Sequence, residues 1–144
     1  MNLTKGYNYI ATKDISFNNT IDYDNSIKIP FTEIGFKYGY AKDILLCIEG
    51  GSAGRKVAVV KEKICFGNKL CVLHPILINS LFLYYFIQSK YFLNLFGKNI
   101  SGIIGGVSIK KLQTILIPLP TLQEQTKIVE KLNLIFKELQ LVKN

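Results

Sequence analysis

The chain has 144 residues, 49% of them hydrophobic, and a net charge of +8. That is enough apolar material for the core of one domain and excludes a disordered chain. No apolar run is long enough to make a membrane span, since the longest, Leu81 to Phe96, is broken by Gln88, Ser89, Lys90 and Asn94.

Residues 1 to 40 are rich in Asn, Asp, Tyr and Gly, and within them Tyr9 to Ile15 reads as a short strand and Phe17 to Ile29 as a loop. Met1 to Lys5 is not followed by the apolar stretch of a signal peptide. The run Ile44 to Ile48 predicts a buried strand, Gly50 to Gly54 a strand-to-strand turn and Val57 to Val60 its partner strand. Lys61 to Lys63 reads as a turn, and Ile64 to Phe66 and Leu70 to Leu73 as short strands around Gly67-Asn68. Asn79 or Ser80 then caps a single helix with an aromatic face of Leu81, Tyr84, Tyr85, Phe92 and Leu95, closed by Gly97. The aromatics of this helix, Phe86 and Tyr91 included, read as core. Lys98 to Gly106 is a glycine-rich loop, after which Ser108 caps a short helix carrying Lys110 and Lys111.

A strand is expected from Ile115, stopped by Pro118 and Pro120, which hold φ near −65° and push the residues before them into extended conformations. Thr121 and Glu124 have the spacing of a capping box, so a helix starts there. Along it Gln125, Ile128, Leu132, Ile135, Leu139 and Val142 recur at alternating steps of three and four, a heptad seam widened by Leu122, Val129 and Phe136. Such a stripe needs a covering surface, either the domain's own or another helix.

Charge is concentrated in the middle of the chain. Residues 50 to 120 carry nine Lys and Arg against Glu62 alone, a net +8, while the flanking segments nearly balance. That is the footprint of a polyanion binder, nucleic acid first. Catalysis has little to stand on. His74 is the only histidine, and Cys47, Cys65 and Cys71 sit among apolar residues with no paired spacing, so they read as buried reduced thiols of a cytoplasmic protein rather than metal ligands or nucleophiles. No cofactor is implied. The loop Gly50-Gly-Ser-Ala-Gly-Arg-Lys56 lacks the Gly-Lys-Ser/Thr of a phosphate loop and joins two strands.

The same loop suits DNA. Its glycines let backbone approach phosphate, Ser52 donates a hydrogen bond, Arg55 can fork onto guanine, and Lys56 can pair with phosphate. Lys98, Asn99 and Ser101 offer donors on a second glycine-rich loop, with Lys110 and Lys111 just beyond it and Lys69 in the same basic block. Thr12 and Lys13 complete the candidate DNA contacts.

Gly50 to Val59, Ser101 to Leu112 and Ile117 to Val129, in this order, resemble the specificity subunit of type I restriction–modification systems. The resemblance runs from about Tyr9 to the end of the chain, and its Leu-Pro-Thr-Leu-Gln-Glu-Gln segment is its most specific part. It implies a mixed α/β (α+β) target-recognition domain over residues 1–120, shortened at its start, and a spacer helix over 121–144. It implies a non-catalytic subunit that reads one half of a bipartite site in double-stranded DNA and docks methyltransferase (modification) and restriction subunits. Family members hold two domain-plus-helix units and a Trp-containing opening, whereas this sequence holds one unit and no Trp. The expectation is therefore a half-size subunit, a homodimer through Leu122, Gln125, Ile128, Val129, Leu132, Ile135, Phe136 and Leu139. The alternative is a truncated remnant or interaction protein that pairs through its helix without reading DNA.

Overall fold

A computed structural model describes residues 5–143; of the opening read for a signal peptide, residues 1–4 lie outside the described residues. Among the described residues, seven strands and four α-helices follow one another as β1 (Tyr7–Ile10), β2 (Ile27–Ile29), β3 (Lys37–Gly39), β4 (Ile44–Cys47), β5 (Val57–Val59), β6 (Ile64–Phe66), β7 (Leu70–Leu73), α1 (Ser80–Ile87), α2 (Lys90–Lys98), α3 (Ile109–Leu112) and α4 (Leu122–Val142). The α+β architecture expected from the sequence is the one observed.

The strands make two sheets, one ordered β2-β1-β6-β3 and the other β5-β4-β7. Strand β4 runs antiparallel to both neighbours, with Ile44 opposite Val59 and Leu73. In the first sheet β1 and β6 are parallel, Tyr9 opposite Cys65. The continuous apolar run of β4 has a direct explanation. Ile44, Leu46 and Ile48 face the helices together with Leu83, Ile87, Phe92 and Phe96. Leu45 and Cys47 point the other way, against Ile10, Ile64 and Phe66 of the first sheet. A strand covered on both faces carries apolar residues without alternation.

Local sequence accounts for the helix starts. Asn79 caps α1 by accepting from the backbone N–H of Leu81 and Phe82, and Ser89 caps α2 by accepting from Phe92. The single helix expected from Ser80 to Phe96 is thus two, because Ser89 offers a second start and the chain turns at Gln88. Gly97 lies inside α2 rather than closing it. Of the aromatics read as core, Phe92 is buried, Tyr84, Tyr85 and Phe86 are half-buried, and Tyr91 is exposed.

Three further expectations change. The first strand ends at Ile10, where a 3-10 turn, Thr12–Asp14, takes over. The segment read as loop contains β2. No strand forms at Ile115. Residues 115–121 run extended without a ladder, since two prolines remove donors, and Ile115 and Ile117 pack on the helical core instead. The capping box is present as expected, Thr121 Oγ1 accepting from Glu124 N at 3.2 Å and Glu124 Oε2 accepting from Thr121 N at 3.1 Å.

Candidate nucleic-acid interface

A chain of hydrogen bonds gathers the two glycine-rich loops beyond the end of β4. Past β4, Ile48 N donates to Lys69 O at 2.9 Å, and Val107 N donates to Ile48 O at 2.9 Å. Gly50 N donates to Gly105 O at 2.7 Å, which ties the first glycine loop directly to the second. The first loop closes on itself through Ala53 N to Gly50 O and Gly54 N to Cys47 O. Gly50 and Gly54 have φ of +86° and +74°, a region that side-chain-bearing residues enter at a cost.

The flanks join this unit. Lys56 Nζ donates to Thr12 O at 2.8 Å, so the 3-10 turn sits beside the first loop. Lys13, exposed, pairs with buried Asp14, whose carboxylate also accepts from Ala11 N at 2.9 Å. Arg55 Nη2 donates to Gly51 O, folding the guanidinium over its own loop. Lys111 Nζ reaches Ser101 Oγ at 3.4 Å and Asn99 O at 3.5 Å, joining α3 to the second loop. Asn99 Nδ2 donates to Leu95 O at 2.9 Å, and Ser52 is half-buried within the first loop. Lys69, Lys98 and Lys110 stand exposed. Contacts thus join the 3-10 turn, the first loop, the second loop and α3, whereas Lys69, Lys98 and Lys110 are placed only as exposed side chains.

The sequence reading missed Phe17. Its ring is 62% exposed and lies 4.9 Å from Lys56 Nζ and 5.5 Å from the Arg55 guanidinium carbon. Cation–π contacts of this exposed kind contribute about 0.5–1 kcal/mol each and steer both cations to one side. A bridge between Ile15 and Ile21 and a left-handed Asn19 (φ +62°) present the ring at a hairpin tip. The signal was a lone aromatic in the polar stretch Ser16-Phe17-Asn18-Asn19.

Nothing on this surface is arranged for bond-breaking chemistry. Burial pushes the Cys71 thiol up to about 12, and it also raises Cys47 and Cys65. Asp43, His74 and Ser80 do line one hollow of about 610 Å3 elsewhere. There Asp43 Oδ1 and His74 Nδ1 are 2.5 Å apart, but Ser80 Oγ donates to Lys42 O and is not aimed at the imidazole.

The last helix divides the expected interface residues. Gln125 and Val129 are buried within the chain's own domain, and Leu132 is half-buried. Phe136 meets Tyr85 of α1 with ring centroids 5.5 Å apart, and Tyr85 Oη donates to Asn133 Oδ1. Leu122, Ile128, Ile135, Phe136 and Leu139 remain exposed, as do Leu134, Leu141 and Val142. The heptad stripe therefore serves two surfaces. The stretch from Gln125 to Phe136 meets α1 along one side, and the turns beyond it, from Leu139 to Val142, are bare.

The family model for the type I restriction modification DNA specificity domain matches residues 2–144. No curated protein matches the sequence. Three solved structures are similar in fold. One is a chain of a type I R-M system studied for complex assembly and conformational transition, with a TM-score of 0.75 and 21% identity over 99% of this chain and 34% of that one. The HsdS subunit from Thermoanaerobacter tengcongensis has a TM-score of 0.76 and 20% identity over 94% of this chain and 37% of that one. The S subunit from M. genitalium has a TM-score of 0.57 and 19% identity over 96% of this chain and 34% of that one. The chain thus spans about a third of the length of these subunits. With a recognition rather than a catalytic family matched over nearly every residue, the chain belongs to the type I restriction modification DNA specificity domain family.

Proposed function

We propose that this chain is a non-catalytic recognition unit that reads one half of a bipartite site in double-stranded DNA. The observation that carries the reading is the Gly50–Gly105 hydrogen bond, which fuses two basic glycine loops into one surface. Arg55, Lys56, Ser101 and Lys111 belong to that surface, with Phe17 beneath the two cations of the first loop. Basic side chains and free backbone amides hold phosphates and set register, while Arg55 is free to exchange its Gly51 carbonyl for a base edge. Two copies pair through the exposed side of α4, so that two recognition units address two half-sites. The pair docks modification and restriction subunits in the cytoplasm, beside the cell's DNA. This half-size arrangement rests on the exposed stripe from Ile128 to Leu139.

The test is binding to a duplex selected by the protein from a randomised pool, measured across salt concentrations. Arg55→Ala with Lys56→Ala is expected to weaken binding and to reduce the salt slope by about 0.9 for each phosphate that is no longer neutralised. Unchanged affinity and slope would place the contact surface elsewhere. A second reading is an interaction protein that pairs through α4 without reading DNA. It is favoured by Arg55 being already hydrogen-bonded within its own loop. Absence of salt-dependent binding by the wild-type chain would select it.

A further inference from the structure

The second glycine loop ends in a feature that phosphate contacts do not explain. Ser101 and Gly106 pair through their backbones, Ser101 N to Gly106 O at 2.9 Å and Gly106 N to Ser101 O at 3.1 Å. Gly102 and Gly105, at φ of +84° and +75°, turn the chain between them. At the tip stand Ile103, fully exposed, and Ile104, 68% exposed. Two adjacent isoleucines in water forgo the burial that the hydrophobic effect favours. Their position is not accidental slack, because Gly105 O is held by Gly50 N and Val107 N by Ile48 O. The hairpin is fastened at its base, so the tip is presented rather than tucked away.

The surroundings say what kind of surface covers it. The chain has no acidic residue between Glu62 and Glu124, and Lys98, Lys110 and Lys111 lie on either side of the hairpin in sequence. Lys111 touches Ser101 at the hairpin's base. Glu49 is a carboxylate that meets this loop, bridging to Gly106 at the hairpin's base and lining the hollow that Ile103 and Ile104 also line. An apolar tip with lysines on both sides of it along the chain, one of them at the hairpin's base, complements a partner that is anionic outside and apolar within. Duplex DNA, with a phosphate exterior and a stack of bases, has that construction.

We propose that Ile103 and Ile104 form a wedge that enters the DNA at a base step and partly unstacks it, while the lysines hold the flanking phosphates. The proposal rests on the DNA-reading function above. It assigns the hairpin a role in sequence choice, because pyrimidine–purine steps open more easily than others, so a wedge prefers sites that place such a step under it.

The experiment uses the full chain and the selected duplex, with 2-aminopurine placed in turn at each step. For the wild type, fluorescence is expected to rise at one discrete step on binding. Ile103→Ser with Ile104→Ser is expected to abolish that rise and to weaken binding at least about tenfold, the scale of leaving an isoleucine uncovered, with the salt slope unchanged. Lys110→Ala with Lys111→Ala is expected to lower the slope instead. Ile103→Ser alone gives the same reading should the double change disturb folding. Salt-dependent binding without a fluorescence rise at any step would overturn the wedge and leave the DNA reading standing. Weaker binding by the serine variant without such a rise would also overturn it, in favour of a groove contact. Wild-type protein that binds no duplex would overturn both.

Discussion

Gln125, in the second turn of the last helix, is fastened to Asn79, the cap of α1. Its Oε1 accepts from Asn79 N at 2.7 Å, and its Nε2 donates to Pro120 O at 2.8 Å. The side chain is 1% exposed. One amide thus joins the start of α1, the proline turn and the start of α4, and sets the angle at which α4 leaves the domain. From heptad spacing alone this residue reads as a polar position in a seam between chains; the structure uses it inside one chain.

Gln125→Leu keeps the bulk and removes both hydrogen bonds. Leaving the Asn79 N–H and the Pro120 carbonyl without their partner is expected to cost about 1–3 kcal/mol of folding stability, read by urea denaturation. A variant as stable as wild type would mean that water replaces the amide at no cost.

Ile135 and Leu139 are 41% and 53% exposed, Ile135 on the same turn as Asn133 and Phe136, which meet Tyr85 of α1, and Leu139 beyond it. Ile135→Asp with Leu139→Asp is expected to convert a dimer to a monomer by sedimentation, with monomer stability changed by no more than about 0.5 kcal/mol per site. Leu132 is a poorer probe, since it is half-buried and lines the cleft against Phe82 and Tyr85. A wild-type monomer would count against pairing through this stripe.

Gly54 separates structural from functional need in the first glycine loop. A Cβ there would lie 2.8 Å from Cδ1 of Phe96, a buried ring, at a backbone φ of +74°. At Gly50, φ is +86° but the space is open. Gly50→Ala is expected to cost about 1–2 kcal/mol from the backbone alone, and Gly54→Ala to cost more. Thermal denaturation of the two variants checks the order.

Burial raises Cys71 from an ordinary value of 9.0 to about 12. Above pH 9 the unfolded chain gives up a thiol proton that the folded chain keeps, so deprotonation favours unfolding. The contribution is complete below about pH 9 and is lost as pH rises towards 12, by at most about 1.4 kcal/mol per pH unit. Cys71→Ala is expected to flatten the alkaline limb of a stability–pH profile while lowering stability overall through the cavity it leaves. Cys47 and Cys65, shifted in the same direction by burial, keep part of the slope in the variant.

Much of the fold was legible in the chain because short-range physics dictates it. The Thr121–Glu124 box, the Asn79 and Ser108 caps and the β4–β5 turn each depend on neighbours a few residues away, and β6 and β7 announce themselves by their apolar composition. The failures have the opposite character. Ile27–Ile29 and Lys37–Gly39 carry no strong strand signal, and they are strands because β1 and β6 offer them partners. Ile115 to Ile117 has the composition of a strand and is not one, because Ile115 and Ile117 pack on the helical core and the prolines that follow remove ladder donors.

The candidate site divides the same way. Residue types alone determined which loops are basic and glycine-rich, since charge and backbone freedom are properties of single positions. The amphipathic period of the last helix was likewise written in the order of its residues. That Lys56 meets Thr12, that Gly50 holds Gly105, that Phe17 lies beside Arg55, and that Gln125 faces inward were decided only by the tertiary structure. Each pairs residues tens of positions apart or selects one covering surface among several, and periodicity states that a face must be covered without naming what covers it.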